Sequence, residues 1–183
     1  IYGVNKIKGV DLDLTNNANT LNLNVAIAGL ENENFVLDKM FLKGNIKENI
    51  ISYDLQVLDQ KDVLQYEIAG TVNSINDITQ LSLNPNGLKL NYDDWTVNPE
   101  NLIQLSDKGI MAKQFEISNN GSKISVQSEN DIPNNPLNID ISNFKIETIT
   151  ELIKKDSLLA SGTINGKAQL KDLKNQLTFT SDL

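Results

Sequence analysis

The stretch "NTLNLNVAIAG" (Asn19 to Gly29) alternates throughout: Leu21, Leu23, Val25 and Ile27 fall on one side, and Asn22, Asn24, Ala26 and Ala28 on the other. A period of two sends successive side chains to opposite faces of a β-strand, so this segment predicts a strand with one dry face and one wet face. The same rhythm returns in "IISYDLQVLD", where Ile51, Tyr53, Leu55 and Val57 oppose Ser52, Asp54 and Gln56. In "VLQYEIAGTVN" it gives Leu64, Tyr66, Ile68 and Val72, with Gly70 interrupting the row. Shorter runs centre on Val10 to Leu14, Val36 to Leu42, Leu81 to Leu83, Leu88 to Tyr92, Phe115 to Ile117, Ile124 to Val126, Leu137 to Ile141 and Leu177 to Phe179.

Turn chemistry separates these runs. Asn86-Gly87, Asn120-Gly121 and Asn165-Gly166 are pairs that adopt the positive φ angles of tight type I′ hairpins. "SDKG" before Ile110 suits a type I turn closed by a glycine bulge. Asn84-Pro85, Asn98-Pro99 and Asn135-Pro136 mark places where a strand must pause, because proline cannot donate to a ladder. The chain is therefore expected to be all-β, a long antiparallel meander of about a dozen strands. One segment departs from the rhythm. In "TITELIKKDSLL" Thr148 and Glu151 have capping-box spacing and Ile149, Leu152 and Ile153 share a helical face, which predicts a short amphipathic helix near 149–156.

Composition removes most chemistry. The chain has 183 residues, no cysteine, no histidine and no arginine, and a formal charge of −8. The parts for Cys-His and Ser-His-Asp catalysis, zinc sites and bidentate phosphate clamps are missing, and the acidic balance opposes nucleic-acid binding. The acidic groups Asp11, Asp13, Asp93 and Asp94 lack the glycine and terminal glutamate of a calcium loop and read as solvated charges. Neither a metal, a cofactor nor an enzymatic role is expected. No apolar run approaches the roughly 20 residues that cross a bilayer.

A meander with one dry side must cover that side. A single short helix does not cover a dozen strands, so the candidates are a sandwich, a barrel or a sheet curled along its length. The dry residues are mostly Leu, Ile and Val, and aromatics make up only 5% of the chain. Sandwich cores rely on aromatics to fill the space between sheets, whereas mid-sized aliphatics leave a gap for an acyl chain. Twelve strands about 4.8 Å apart would form a groove roughly 55 Å long. Sheltering a two-chain lipid from water there is worth roughly 20 kcal/mol, at about 0.8 kcal/mol per methylene.

Two stretches echo each other: Gly70-Thr71-Val72-Asn73 with Ile78 and Leu81 following, and Gly162-Thr163-Ile164-Asn165 with Leu170 and Leu173 following. They are read as successive copies of a strand and its exit turn, in repeat units of about 1–80 and 81–183. With Ile1 at the start and "TFTSDL" reading as a strand cut short, the chain is expected to be one β-rich slice of a longer repetitive protein.

From Gly70 to Leu183 the sequence resembles the TamB branch of the AsmA-like proteins, in particular the Asn- and Lys-rich versions of Bacteroidota. The resemblance rests on Trp95 followed by Asn-Pro and a hairpin, on "ISNF" before a short helix, and on the Gly-Thr-Ile-Asn-Gly strand after it. It implies a U-shaped aliphatic trough in a periplasmic protein anchored in the inner membrane outside this segment. It also implies phospholipid acyl chains as ligand, a BamA-type outer-membrane barrel and client outer-membrane proteins as partners, and roles in lipid transport and outer-membrane protein assembly.

The expected lining is Leu21, Leu23, Val25, Ile27, Ile51, Tyr53, Leu55, Val57, Leu64, Tyr66, Ile68, Leu88, Leu90, Phe115, Ile117, Ile124, Val126, Leu137, Ile139 and Ile141, with Trp95 at the groove rim. The other reading that remains is a closed β-sandwich or β-solenoid module of a cell-surface adhesin, with those aliphatics as an ordinary core.

Overall fold

The computed structural model describes residues 6–17, 19–32, 36–150, 161–171 and 178–182. Its strands in chain order are β1 (Lys6–Asn17), β2 (Thr20–Glu31), β3 (Val36–Leu37), β4 (Lys39–Lys47), β5 (Ile50–Leu58), β6 (Leu64–Ile75), β7 (Ile78–Leu90), β8 (Asp93–Val97), β9 (Leu102–Ser106), β10 (Gly109–Lys113), β11 (Phe115–Asn119), β12 (Ser122–Ser128), β13 (Leu137–Lys145), β14 (Thr163–Lys171) and β15 (Thr178–Asp182), with a 3-10 turn at Glu129–Asp131 and one α-helical turn, α1 (Glu147–Thr150). They form one 15-stranded sheet in the order β1-β2-β4-β5-β6-β7-β8-β11-β12-β13-β14-β15. The fold is an open all-β meander, as the alternation predicts, and β1 and β15 are its edges among the described residues.

Three strands lie off that path: β3 pairs with β2 just ahead of β4, and β9 and β10 are continuations of path strands. β8 pairs with Leu88 to Leu90 of β7, and β9 pairs with Thr79 to Leu81 of the same strand, so β8 and β9 are one long strand with a break. β10 and β11 follow them in the same way, separated by Gln114 at φ +47°.

The break is where the Asn-Pro pairs lie. Ile68 pairs with Leu88 but Gly70 pairs with Leu83, so Asn84 to Gly87 are displaced from the ladder beside Asn98-Pro99 of the neighbouring strand. The ladder is repaired by a side chain. Asn101, buried, accepts from the Leu83 N–H at 2.7 Å and donates to the Leu83 carbonyl at 2.8 Å and the Asn98 carbonyl at 2.7 Å. Its amide thus stands in for the missing backbone pair, which buried peptide groups require. Two strands further on, the buried Ser128 hydroxyl accepts from the Ala112 N–H at 2.9 Å.

Turn expectations divide on the same principle. Asn120 (φ +45°) and Gly121 (φ +86°) make the predicted tight turn between β11 and β12, and Gly109 at φ +119° closes the predicted "SDKG" turn. Asn76-Asp77 and Asn91-Tyr92 make two further turns with positive φ at both central residues. Asn86-Gly87 and Asn165-Gly166, however, are not hairpins. The first lies inside β7, with Gly87 packed so tightly on Ala69 that a Cβ would come within 2.8 Å of the alanine methyl. The second lies inside β14 with Gly166 opposite Ile141, and the Asn165 side chain accepts from the Asn143 N–H at the β13 bulge. Gly166 stays extended because Ile141 of β13 is its ladder partner, and Gly87 because Ala69 of β6 packs against it.

The two copies of the echoed motif sit differently in their strands among the described residues. Gly70 to Asn73 lies in the second half of β6 before its turn, whereas Thr163 opens β14 and Leu170 lies in that same strand. Leu173 is outside the described residues. The helix begins at Glu147, so Thr148 sits inside the turn and does not cap it; residues 151–156 of the expected helix are outside the described residues.

The buried cluster is local. Leu88, Trp95, Val97, Ile117 and Phe144 form it, with Leu83, Leu90, Phe115, Ile124 and Ile141 packed against them. Trp95 on β8 and Phe144 on β13 are three ladder positions apart, about 14 Å on a flat sheet. Their ring centroids are 5.8 Å apart, so the sheet bends towards its apolar face here.

Candidate functional site

Register, more than alternation within one strand, assembles the apolar face. One row crosses the sheet as Leu12, Val25, Leu42, Leu55, Ile68, Leu88 and Trp95, each the direct cross-strand partner of the next. Beside it run Leu14, Leu23, Gly44, Tyr53, Gly70 and Leu83, then Val10, Ile27, Met40, Val57 and Tyr66. On the far side run Leu21, Ile46, Ile51, Val72, Leu81 and Ile103. Between β1 and β7 this face is continuous, about 24 Å across the strands and about 20 Å along them.

Gly44 and Gly70 flank Tyr53 in the second row, and the lack of a Cβ there has a cause. A Cβ on Gly70 would lie 2.9 Å from the Tyr53 hydroxyl and 2.3 Å from the Ser82 carbonyl oxygen, so only glycine lets the ring lie there. Burial pushes the Tyr53 hydroxyl pKa up.

The expected lining residues fall into two groups. Leu21, Ile51 and Ile68 are exposed, and Leu23, Val25, Ile27, Tyr53 and Leu55 are partly so. Leu88, Ile117 and Leu137 are buried in the second half of the sheet, where Leu90, Phe115, Ile124 and Ile141 pack around the cluster. Val126 and Ile139 pair with each other beside it and stay partly open. Val57 and Tyr66 are buried at one end of the first half. Leu64 lies beyond a bulge, opposite Leu58, so it leaves the row that its spacing suggested.

Trp95 is a correction. It is 4% exposed, at the centre of the cluster and far from any rim, because the bend turns its face of β8 inwards onto Phe144. Its indole N–H has no acceptor among the described residues.

Met40, Leu42 and Ile46 join β2 to β5 and extend the lining beyond the expected residues. In "KMFLKGNIK" Phe41 blurs the alternation and Gly44 leaves a blank; the signal was Gly44 facing the large Tyr53. Val97 and Phe144 were missed because their burial arises from the bend.

The opposite face is polar. Asn45 donates to Asn22 at 2.8 Å, and Lys43 and Asp54 are cross-strand partners around a cleft of about 850 Å³ bordered by the displaced Asn84 to Gly87. Asp94 is held by Lys89, and Asp11 and Asp13 lie along the exposed β1. Among the described residues no three potential metal ligands converge, and no helix is long and apolar enough to cross a membrane.

Comparison with protein-family models, with characterised proteins and with solved structures finds no match.

Proposed function

We propose that the chain is a non-enzymatic lipid-handling segment whose open aliphatic face holds phospholipid acyl chains, as in a TamB-like periplasmic conduit for lipid transport and outer-membrane protein assembly. The observation that carries this reading is the apolar face between β1 and β7, which no described residue covers. Its footprint is of order 500 Å², near the upper end of what a soluble monomer exposes without using it.

Its dimensions suit the ligand. About 20 Å along the strands accommodates the hydrocarbon of one leaflet, about 15 Å thick. The lining is aliphatic and unbroken by charge from Leu12 through Leu55 to Leu88. Neither length nor lining needs a catalytic residue. The exposed edge strand β1 offers unpaired backbone groups to a client strand, which fits a role in handling outer-membrane proteins, and a BamA-type barrel is the partner this reading implies.

The filled cluster around Val97 is what a closed adhesin module has throughout. The open edges and open first half favour the conduit. Native mass spectrometry with lipid extraction, on protein purified from a Gram-negative periplasm, tests the choice. Co-purifying phospholipid that is lost in Leu55→Glu, with the β-sheet circular dichroism retained, is expected. Lipid-free protein that takes up no fluorescent fatty acid contradicts the proposal.

A further inference from the structure

We propose that the cavity closing one end of the apolar face is a headgroup site that favours a phospholipid bearing a primary ammonium; this rests on the acyl-chain reading above. The two ends of the face differ. At one end Leu21 is 39% exposed and Ile51 40%, so the rows run out into solvent. At the other end Val57 is 7% exposed and Tyr66 6%. A half-open cavity of about 330 Å³ lies over this end, bordered by Val36 to Asp38 and the Asp59–Lys61 turn.

The walls are fixed by contacts between elements. Lys39 at the start of β4 pairs with Asp62 of the turn after β5. The Tyr92 hydroxyl, from the turn after β7, donates to Asp59 Oδ2 at 2.8 Å, and Asp59 Oδ1 accepts from the Lys61 and Val63 N–H groups at 2.8 and 2.9 Å. An amphiphile whose tail lies along the strands therefore has one prepared place for its polar end. At about 30 Å³ for each water, the cavity holds roughly eleven water volumes, room for a phosphate with a two-carbon amine.

Charge decides which polar end fits. The lining sets two carboxylates, Asp38 and Asp59, against one ammonium, Lys61. A phosphate with no cation of its own meets net repulsion there. A zwitterion places its phosphate at Lys61 and its ammonium at the carboxylates, meeting both signs. Asp59 already accepts three hydrogen bonds, while Asp38 makes no ion pair among the described residues, so Asp38 is the group that selects the ammonium.

The test incubates the full chain with vesicles of equal parts phosphatidylethanolamine and phosphatidylglycerol of matched chains, and quantifies the headgroups of the bound lipid by mass spectrometry. Enrichment of the ethanolamine lipid by about fivefold is expected, the size of one partly exposed charge contact. Asp38→Asn should bring the ratio down to that of the vesicles. Lys61→Gln, with its β-sheet circular dichroism unchanged, should lower capture of both lipids alike and leave the ratio; undiminished capture overturns the placing of the phosphate at Lys61. Bound lipid at the vesicle ratio in the wild type overturns the headgroup site and leaves the acyl-chain reading standing. Protein that binds neither lipid overturns the acyl-chain reading, and the headgroup site with it.

Discussion

The first half of the sheet, β1 to β6, and the second half, β7 to β14, share one alternating pattern and one ladder, but they treat their apolar faces differently. In the first half Leu23, Val25 and Leu55 remain partly open to solvent. In the second half the same kind of aliphatic closes over Trp95, Val97 and Phe144. The difference arises at the line of Asn-Pro breaks, where Asn101 and Ser128 replace lost backbone pairs and the sheet bends. A strand pattern thus sets which side is dry, and the breaks set whether that side is filled. The filled half holds the buried cluster, and the open half is the one that the proposed lipid role uses.

Placing one charge in each half should separate the two halves most strongly. Ile117→Glu buries an unpaired carboxylate in the cluster at a cost of several kcal/mol, a large share of the roughly 5–15 kcal/mol that holds a domain together, and should abolish cooperative unfolding in urea. Leu55→Glu should cost about 1 kcal/mol and keep the transition, since its side chain can reach water. Equal effects would mean that the halves are not different.

Next in size is Phe144→Ala, which should destabilise by about 3–5 kcal/mol through a cavity under Trp95. Trp95 is the sole tryptophan, so its emission should shift to the red only if the cluster loosens there. Asn101→Ala should cost about 1–3 kcal/mol by orphaning the Leu83 peptide, and hydrogen exchange should speed at the Leu83 amide first. If that amide stays protected, the side-chain repair of the ladder is not what holds the bend.

The smallest effect concerns the end of the open half. The Val63 N–H, the Tyr92 hydroxyl and the Lys61 N–H hold the Asp59 carboxyl below its usual value. Its folded pKa is lower than its unfolded one, so this contribution is complete above the ordinary carboxylate range and is lost as pH falls through the lowered folded value. The Tyr92 ring resonances should move in that acidic window and not at neutral pH; a shift near neutrality would contradict the assignment.

The dry face was legible in the sequence because Leu21 to Ile27 and Ile51 to Val57 alternate cleanly, and period two is a local property. The bend was half legible: Asn84-Pro85 and Asn98-Pro99 announced pauses, but their alignment in neighbouring strands is a matter of register. Trp95 was misplaced for the same reason, since its burial depends on Phe144, 49 residues away in the chain. Asn165-Gly166 shows the reverse error, a local turn signal overridden by the strand that lies opposite.

The most direct test of the account is isotope-edited NMR of the methyl-labelled protein with palmitate. The account predicts intermolecular NOEs from the acyl chain to the methyls of Val25, Leu42 and Leu55 and none to Val97 or Ile117. Contacts confined to Val97 and Ile117, or no contacts at all, would contradict it.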